Sequence, residues 1–299
     1  MKLDFVIIGG QKCGSTYIQN VIDNHPEINM VEKESPHFED PDYANNGLAR
    51  LKKKLDNLDQ SKILGIKRPN YLGKPEVADR IHQLNPKMKL IAILRNPLDR
   101  FKSAYFHQMS YGVGPVLPLN TGALRLLNGD LKEQYPRTSE VLDFGLYSKH
   151  LEKYTSMFGE NLLTLTFDEL KHDNLAVIKK CYHFLGVDDS YIPHQILDKR
   201  PMKVNYSLQS ARFLTLRNRF RFDYNKDKTR IYQKKKTFGD RLCIKSIEFF
   251  NDLVFIKILK QKKKPKFTNE IRERLIRWYL QDIELLEQII NKDLSAWKS

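Results

Sequence analysis

Two stretches of this chain have the residue types and spacing to hold phosphate groups. The first is Gly9-Gly10-Gln11-Lys12-Cys13-Gly14-Ser15-Thr16, directly after the apolar run Leu3–Ile8. Backbone N–H groups in such a turn, with the positive end of a following helix, make an anion site. The nucleoside-triphosphate form of this loop reads G-x-x-x-x-G-K-[ST]. Gly9 and Gly14 keep that spacing, but Ser15 stands in the lysine position and Lys12 lies inside the loop. A triphosphate lysine must reach past the loop, whereas a lysine at position 12 sits nearer the first phosphate of a shorter ligand. The second stretch is Arg95-Asn96-Pro97-Leu98-Asp99-Arg100, with Ser103 beyond it. Arg95 falls at the carboxyl end of an apolar run, where open α/β sheets bind ligands, and Pro97 suits the first turn of a helix. Ser103 then lies about two turns along, so its hydroxyl and the Arg95 guanidinium are expected to converge on a second phosphate.

Positioning these residues takes strands that end at one sheet edge and helices that carry the chain back. Short apolar runs predict strands at Leu3–Ile8, Ile28–Val31, Lys62–Ile66, Lys89–Leu94 and Leu162–Phe167. Helical spacing falls between them, at Ser15–Asn24, Pro75–Leu84, Asp99–Met109, Ser148–Phe158 and Leu175–Leu185. Strands alternating with helices imply an α/β fold, a P-loop-like parallel sheet flanked by helices. Residues 111–140, with Gly, Pro and Asn, read as a loop holding one helical turn. Asn269–Ile290 carries an amphipathic pattern (Ile271, Leu275, Trp278, Leu285, Ile289), expected to pack on the sheet as a closing helix.

With 299 residues, 41% of them apolar and 29% charged, the chain can bury a sizeable core. The expectation is one domain over 1–299, with 201–266 as a basic, partly helical insertion within it. Disorder, collagen-like repeats and a disulfide-stapled mini-protein are excluded. No run reaches the length of a membrane span, and the first eight residues do not read as a signal peptide, so a cytoplasmic protein is expected. Cys13, Cys181 and Cys243 are widely separated and form neither a disulfide framework nor a zinc spacing. The eight histidines form no metal-ligand spacing either, and His82 and His183 read as structural. The net charge of +15 is concentrated: residues 201–266 hold 19 Lys+Arg against five Asp+Glu. A nucleic-acid partner would therefore rest on one quarter of the chain and is not the expectation.

Gln-Lys-Cys-Gly-Ser-Thr after a first strand, followed later by Arg-Asn-Pro-x-x-Arg-x-x-Ser, resembles the two nucleotide signatures of sulfotransferases that use 3′-phosphoadenosine-5′-phosphosulfate. The likeness is to the bacterial sulfotransferase domain and to heparan-type carbohydrate sulfotransferases, over nearly the whole chain. Lys33-Glu34-Ser35-Pro36-His37-Phe38, Lys67-Arg68-Pro69-Asn70-Tyr71, Gly145-Leu146-Tyr147, Phe184-Leu185-Gly186-Val187 and Asp293-Leu294-Ser295-Ala296-Trp297 fit the family in order. The resemblance implies that Gln11, Lys12, Cys13, Gly14, Ser15 and Thr16 hold the 5′-phosphosulfate. It implies that Arg95 and Ser103 hold the 3′-phosphate, and that Tyr147, Lys203 and Asn205 help to close over the nucleotide. Glu34 becomes the general base, Lys12 and Lys67 the catalytic cations, and His37, where some members have Phe, a rival base. Cys13 departs from the Thr or other small residue of many members.

Sulfonyl transfer to a hydroxyl is akin to phosphoryl transfer, a loose in-line displacement needing a base at the acceptor and cations over the moving charge. Lys12, Lys67 and Arg95 would supply that charge, so no metal is expected. Asp168 is the one acid ending a core strand, and it reads more readily as a helix N-cap than as a magnesium ligand. The expected acceptor is a carbohydrate or glycolipid, and the basic segment would suit an acidic one. Arg241–Lys260 also has a broad apolar helical face, suited either to its own domain or to an anionic membrane surface through 241–266. Two alternatives stay open here: a P-loop kinase or NTPase, and a basic membrane-surface or nucleic-acid binding protein.

Overall fold

In the computed structural model, residues 1–193, 206–226, 229–258 and 264–299 are described. The chain divides into two compact units, each built from separate stretches. The first comprises Met1–Arg100, Leu146–Met202 and Leu280–Ser299; the second comprises Phe101–Gly145 and Lys203–Tyr279. The basic stretch expected as an insertion thus belongs with residues 101–145.

The first unit is organised by five parallel strands: β1 (Phe5–Gly9), β2 (Ile28–Met30), β3 (Ile63–Lys67), β4 (Lys89–Leu94) and β5 (Leu162–Thr166). Their order is β2-β3-β1-β4-β5, with Phe5 opposite both Gly65 and Lys89. β1 is wholly buried and β4 nearly so, which explains why both read as unbroken apolar runs. A side chain at position 65 would strike the Phe5 ring, so Gly65 lets these two strands pair closely. Connections run through α1 (Ser15–Ile22), α2 (Gly47–Leu55), α3 (Pro75–Leu84) and the start of α4 (Pro97–Ser110). Successive strands running from β1 to β3 on one side and to β4 on the other place the order reversal at β1. The loops after β1 and β4 therefore flank the switch point, where such sheets bind ligands.

Within the second unit lie the rest of α4, then α5 (Leu119–Leu127) and α6 (Glu140–Asp143). Residues 111–140 are accordingly more helical than their Gly and Asn content suggests. Gly122 is what allows α5 to pack, because a Cβ there would overlap the Tyr105 hydroxyl. Returning to the first unit, α7 (Tyr147–Phe158) precedes β5, and α8 (Phe167–His172) and α9 (Asn174–Leu185) follow it. α1 packs with α9, and α3 with α7. The second unit resumes with α10 (Leu208–Arg221), a short antiparallel pair β6 (Phe222–Tyr224) and β7 (Ile231–Gln233), and α11 (Phe238–Asn251). α11 gives way to a π-helical turn at Asp252–Ile258, so it ends earlier than the apolar pattern to Lys260 suggests.

The last helix, α12 (Asn269–Ile290), has the predicted bounds but a different buried stripe. Ile271, Leu275, Tyr279, Ile283 and Leu286 are buried, whereas Trp278 and Leu285 are 43% and 46% exposed. Its C-terminal part caps α7. Asp282 accepts hydrogen bonds from Ser148 N at 3.1 Å, Ser148 Oγ at 2.5 Å and Lys149 N at 3.2 Å, satisfying first-turn donors that Leu146 cannot. Among the described residues, no helix is long and apolar enough to cross a membrane.

Candidate active site

The loop between β1 and α1 owes its path to three residues with positive φ. Gly9 (φ +142°) passes so near Pro69 that a Cβ would lie 2.5 Å from its carbonyl oxygen. Gly14 (φ +107°) sits against the Phe167 ring, 3.1 Å from where its Cβ would be. Lys12, at φ +65°, adopts the left-handed conformation despite having a side chain, at a cost of about 1–2 kcal/mol. Positive φ at Lys12 and Gly14, on either side of Cys13, is the kind of backbone alternation from which anion nests are built. Gly14 occupies the N-cap of α1 and brings no side chain to it, and the first turn contains no acid. The leading N–H groups of α1 are therefore left for a ligand, and these residues fit a phosphate or sulfate ester.

Three cations surround that opening. Lys67, the last residue of β3, is nearly buried; its Nζ donates to Thr16 Oγ1 at 2.9 Å and lies 3.9 Å from Glu34 Oε1. Burial pulls the Lys67 pKa down, opposed by Glu34. Lys12 is lowered to about 8, chiefly by burial and also by Arg95, with Glu34 acting the other way. Arg95 follows β4, donates from Nη1 to Lys12 O at 3.4 Å and stacks over Phe167 at 4.8 Å. It also faces Asp99 at 3.6 Å, but its buried Nε has no hydrogen-bond partner.

Glu34 follows β2 and is the carboxylate of this cluster. Arg68 Nη1 donates to Glu34 Oε2 at 2.8 Å, while Arg68 Nε and Nη2 grip Glu39 at 2.6 and 2.9 Å. Glu39 is buried and Glu34 is 43% exposed, so Arg68 anchors a solvent-facing carboxylate to an interior one. Lys12, Thr16, Glu34, Lys67 and Arg95 are thus brought together at the carboxyl edge of the sheet.

The other expected residues have partners of their own. Gln11 is buried and donates from Nε2 to Asn70 Oδ1 at 3.1 Å; Ser15 is buried at the start of α1. Cys13 is buried; its Sγ donates to Gln11 O at 3.5 Å and lies 3.4 Å from the Tyr147 hydroxyl, so its thiol is turned into the interior. Tyr147 does not close over the opening. Fully buried beneath the loop, it donates to Arg95 O at 2.9 Å, and burial pushes its phenol well above the usual range. His37 is turned toward α2, where Lys54 Nζ lies 3.1 Å from its Nε2, and burial beside Lys54 and Arg50 holds it at about 4. The structure therefore separates His37 from Glu34 and its cations. Ser103 is buried on α4 in the second unit. Lys203 and Asn205 lie outside the described residues.

Two supports were not foreseen. Phe167 braces both Gly14 and Arg95, and it is held in turn through Asp168, which accepts from Trp297 Nε1 at 2.9 Å. Asp168 is not the N-cap: Thr166 caps α8, its hydroxyl accepting from Glu169 N in a reciprocal box. Arg68 is the other, carrying no signal beyond its place next to Lys67. A cavity of about 670 Å³ lined by Asp168, His172, Lys180, Lys292 and Trp297 contains none of the clustered cations. Among the described residues, no group of three His, Cys, Asp or Glu side chains is placed to hold a metal ion.

Residues 2–287 match the family described as the sulfotransferase domain. The human heparan sulfate glucosamine 3-O-sulfotransferase 6 is 28% identical over 184 residues, 61% of this chain and 52% of the human protein. The mouse bifunctional heparan sulfate N-deacetylase/N-sulfotransferase 4 is 30% identical over 212 residues, 67% of this chain and 24% of that protein. The chain thus spans about half or less of the length of these relatives. A sulfotransferase from Alicyclobacillus acidocaldarius shares the fold over the full length of both chains, with a TM-score of 0.68 at 20% identity.

Proposed function

The chain belongs to the sulfotransferase domain family, and on that premise we propose that it transfers a sulfonate from 3′-phosphoadenosine-5′-phosphosulfate to a hydroxyl of a carbohydrate or glycolipid. One observation carries the reading: a half-exposed carboxylate, Glu34, shares a sheet edge with Lys12, Lys67, Arg95 and an uncapped helix N-terminus. The donor supplies an activated sulfonate on a phosphate leaving group. Lys12 and the N–H groups of Gly14–Thr16 bind the 5′ end of the donor, and Arg95, with its spare Nε, takes a second phosphate. Lys67, fixed by Thr16, stabilises charge on the sulfonate oxygens. Glu34, oriented by Arg68, accepts the proton of the acceptor hydroxyl. Glycan-directed relatives support a carbohydrate acceptor.

The test is transfer of labelled sulfate from the donor onto a panel of glycans, glycolipids and small alcohols. Alongside it, 3′-phosphoadenosine 5′-phosphate is expected to raise the melting temperature in the presence of a chelator far more than ATP does, and Arg95→Ala to erase that preference. An equal response to both nucleotides, together with Mg²⁺-dependent ATP turnover, would overturn the assignment.

A further inference from the structure

α11 has two apolar faces, and among the described residues only one is covered. Thr237 caps the helix, its hydroxyl accepting from Asp240 N while Asp240 accepts from Thr237 N. The inner side packs on α10: Ile244 and Asn251 are buried, and Ser210 Oγ donates to Asn251 Oδ1 at 2.5 Å. Glu248 turns the same way, accepting from Arg221 Nη1 at 2.8 Å and Arg217 Nη1 at 3.4 Å. At roughly 100° per residue, Phe238, Leu242 and Phe249 form a line on the opposite side, which Leu253 extends. These four are 84%, 59%, 64% and 37% exposed, and Phe250 beside them is 54% exposed. Of the eleven large apolar side chains exposed among the described residues, five therefore lie between positions 238 and 253. Exposed apolar residues scattered singly need no explanation, but a stripe of this kind marks a contact surface.

The charge around the stripe identifies the occupant. Lys245 lies on the line itself, Arg241 beside it, and both are exposed; Lys235, just before the helix, is exposed as well. The acids are mostly turned away. Glu248 is paired with the two arginines, Asp240 is spent on the cap, and Asp252 alone stands near the rim. A second copy of the chain would bring an equally basic segment against this one, which repulsion opposes. A bilayer with anionic headgroups answers both features at once: acyl chains receive the phenylalanines and leucines, and headgroups receive lysines whose long stems reach up to them. We propose that the outer face of α11 docks on an anionic lipid bilayer, with the helix lying in the plane of the interface. The docking is independent of the sulfotransferase reading.

The experiment is co-sedimentation of the full chain with phosphatidylcholine vesicles, with and without phosphatidylserine. Binding is expected only with phosphatidylserine and should weaken as salt is added. Leu242→Glu combined with Phe249→Glu should weaken it by at least about tenfold, with the melting temperature unchanged because both side chains face solvent. Lys235→Glu with Lys245→Glu should weaken it by about fivefold per lysine. A Phe249→Trp variant should be quenched by vesicles with brominated acyl chains more than the wild type, which carries Trp278 and Trp297 alone. Three results would each overturn the proposal: equal binding to neutral vesicles, wild-type binding by the double-glutamate variant, or a Phe249→Trp variant quenched no more than the wild type. So would binding to single-stranded RNA, lost in the double-glutamate variant, with no binding to vesicles.

Discussion

Burial beside Arg95 lowers Lys12 from 10.5 to about 8, and that depression makes opposite predictions for stability and for binding. The unfolded chain holds the Lys12 proton more tightly than the folded one, so protonation favours unfolding. Below about pH 8 the penalty is fully present, and it fades as pH rises from 8 toward 10.5. A shift of that size corresponds to about 3 kcal/mol, which screening in a half-open site reduces to roughly 1–3 kcal/mol. Lys12→Met should therefore melt a few degrees higher than the wild type at pH 7, although it keeps the left-handed backbone at position 12. A bound phosphate restores the ammonium, so binding of 3′-phosphoadenosine 5′-phosphate should take up one proton above pH 8. Its Kd, measured by calorimetry, should stay level up to about pH 7.5 and rise by about 20-fold by pH 9.5. Lys12→Arg, charged throughout, should show no such slope. A flat wild-type profile, an identical slope in Lys12→Arg, or a lower melting temperature for Lys12→Met would refute the reasoning.

Three further substitutions separate chemistry from scaffolding. Glu34→Gln should slow transfer by about 100-fold or more in single-turnover assays while leaving nucleotide affinity within about twofold. Arg68→Ala strands the buried Glu39 carboxylate and frees Glu34, so it should destabilise the fold by about 3 kcal/mol in urea titration and lower transfer as well. His37→Gln is expected to retain most of the transfer rate, because His37 faces Lys54 and not Glu34; a loss matching that of Glu34→Gln would restore it as the base.

What could be read in advance depended on how local its physical cause was. β4 was legible to the residue because a strand buried on both faces must be a continuous apolar run. Lys12, Arg95 and Glu34 each come after a strand, and parallel strands end at one edge, whereas Lys67, the last residue of β3, was picked out only by the resemblance of Lys67–Tyr71 to the family. α2 went unread since its Lys52-Lys53-Lys54 run leaves only Leu51 and Leu55 as buried apolar anchors. In α12, Trp278 and Leu285 fit a helical spacing as well as Tyr279 and Ile283 do, and only the neighbours decide which stripe turns inward. Tyr147 carried a motif but not a depth: whether a tyrosine lies over a loop or under it depends on the packing of α7, which no local pattern encodes. Phe167 was invisible for a related reason, since its work is done across space, on Gly14 and Arg95.

The contact between Lys67 and Thr16 bears on the kinase alternative. Thr16 stands at the position whose hydroxyl, in a triphosphate loop, is a magnesium ligand. Here Thr16 Oγ1 accepts a hydrogen bond from the Lys67 ammonium at 2.9 Å, and Glu34 lies 3.9 Å beyond that ammonium. An organic cation therefore occupies the place beside the loop that a divalent ion takes in a kinase. Lys12, withdrawn into the loop at φ +65°, cannot serve as the reaching lysine of that scheme either. Both displacements shift positive charge toward the near end of the ligand, which suits an ester whose reacting group is one bond past the first phosphate. Lys67→Ala should then lower transfer without creating ATP hydrolysis, whereas a gain of Mg²⁺-dependent hydrolysis in that variant would show that Lys67 merely blocks a latent metal site.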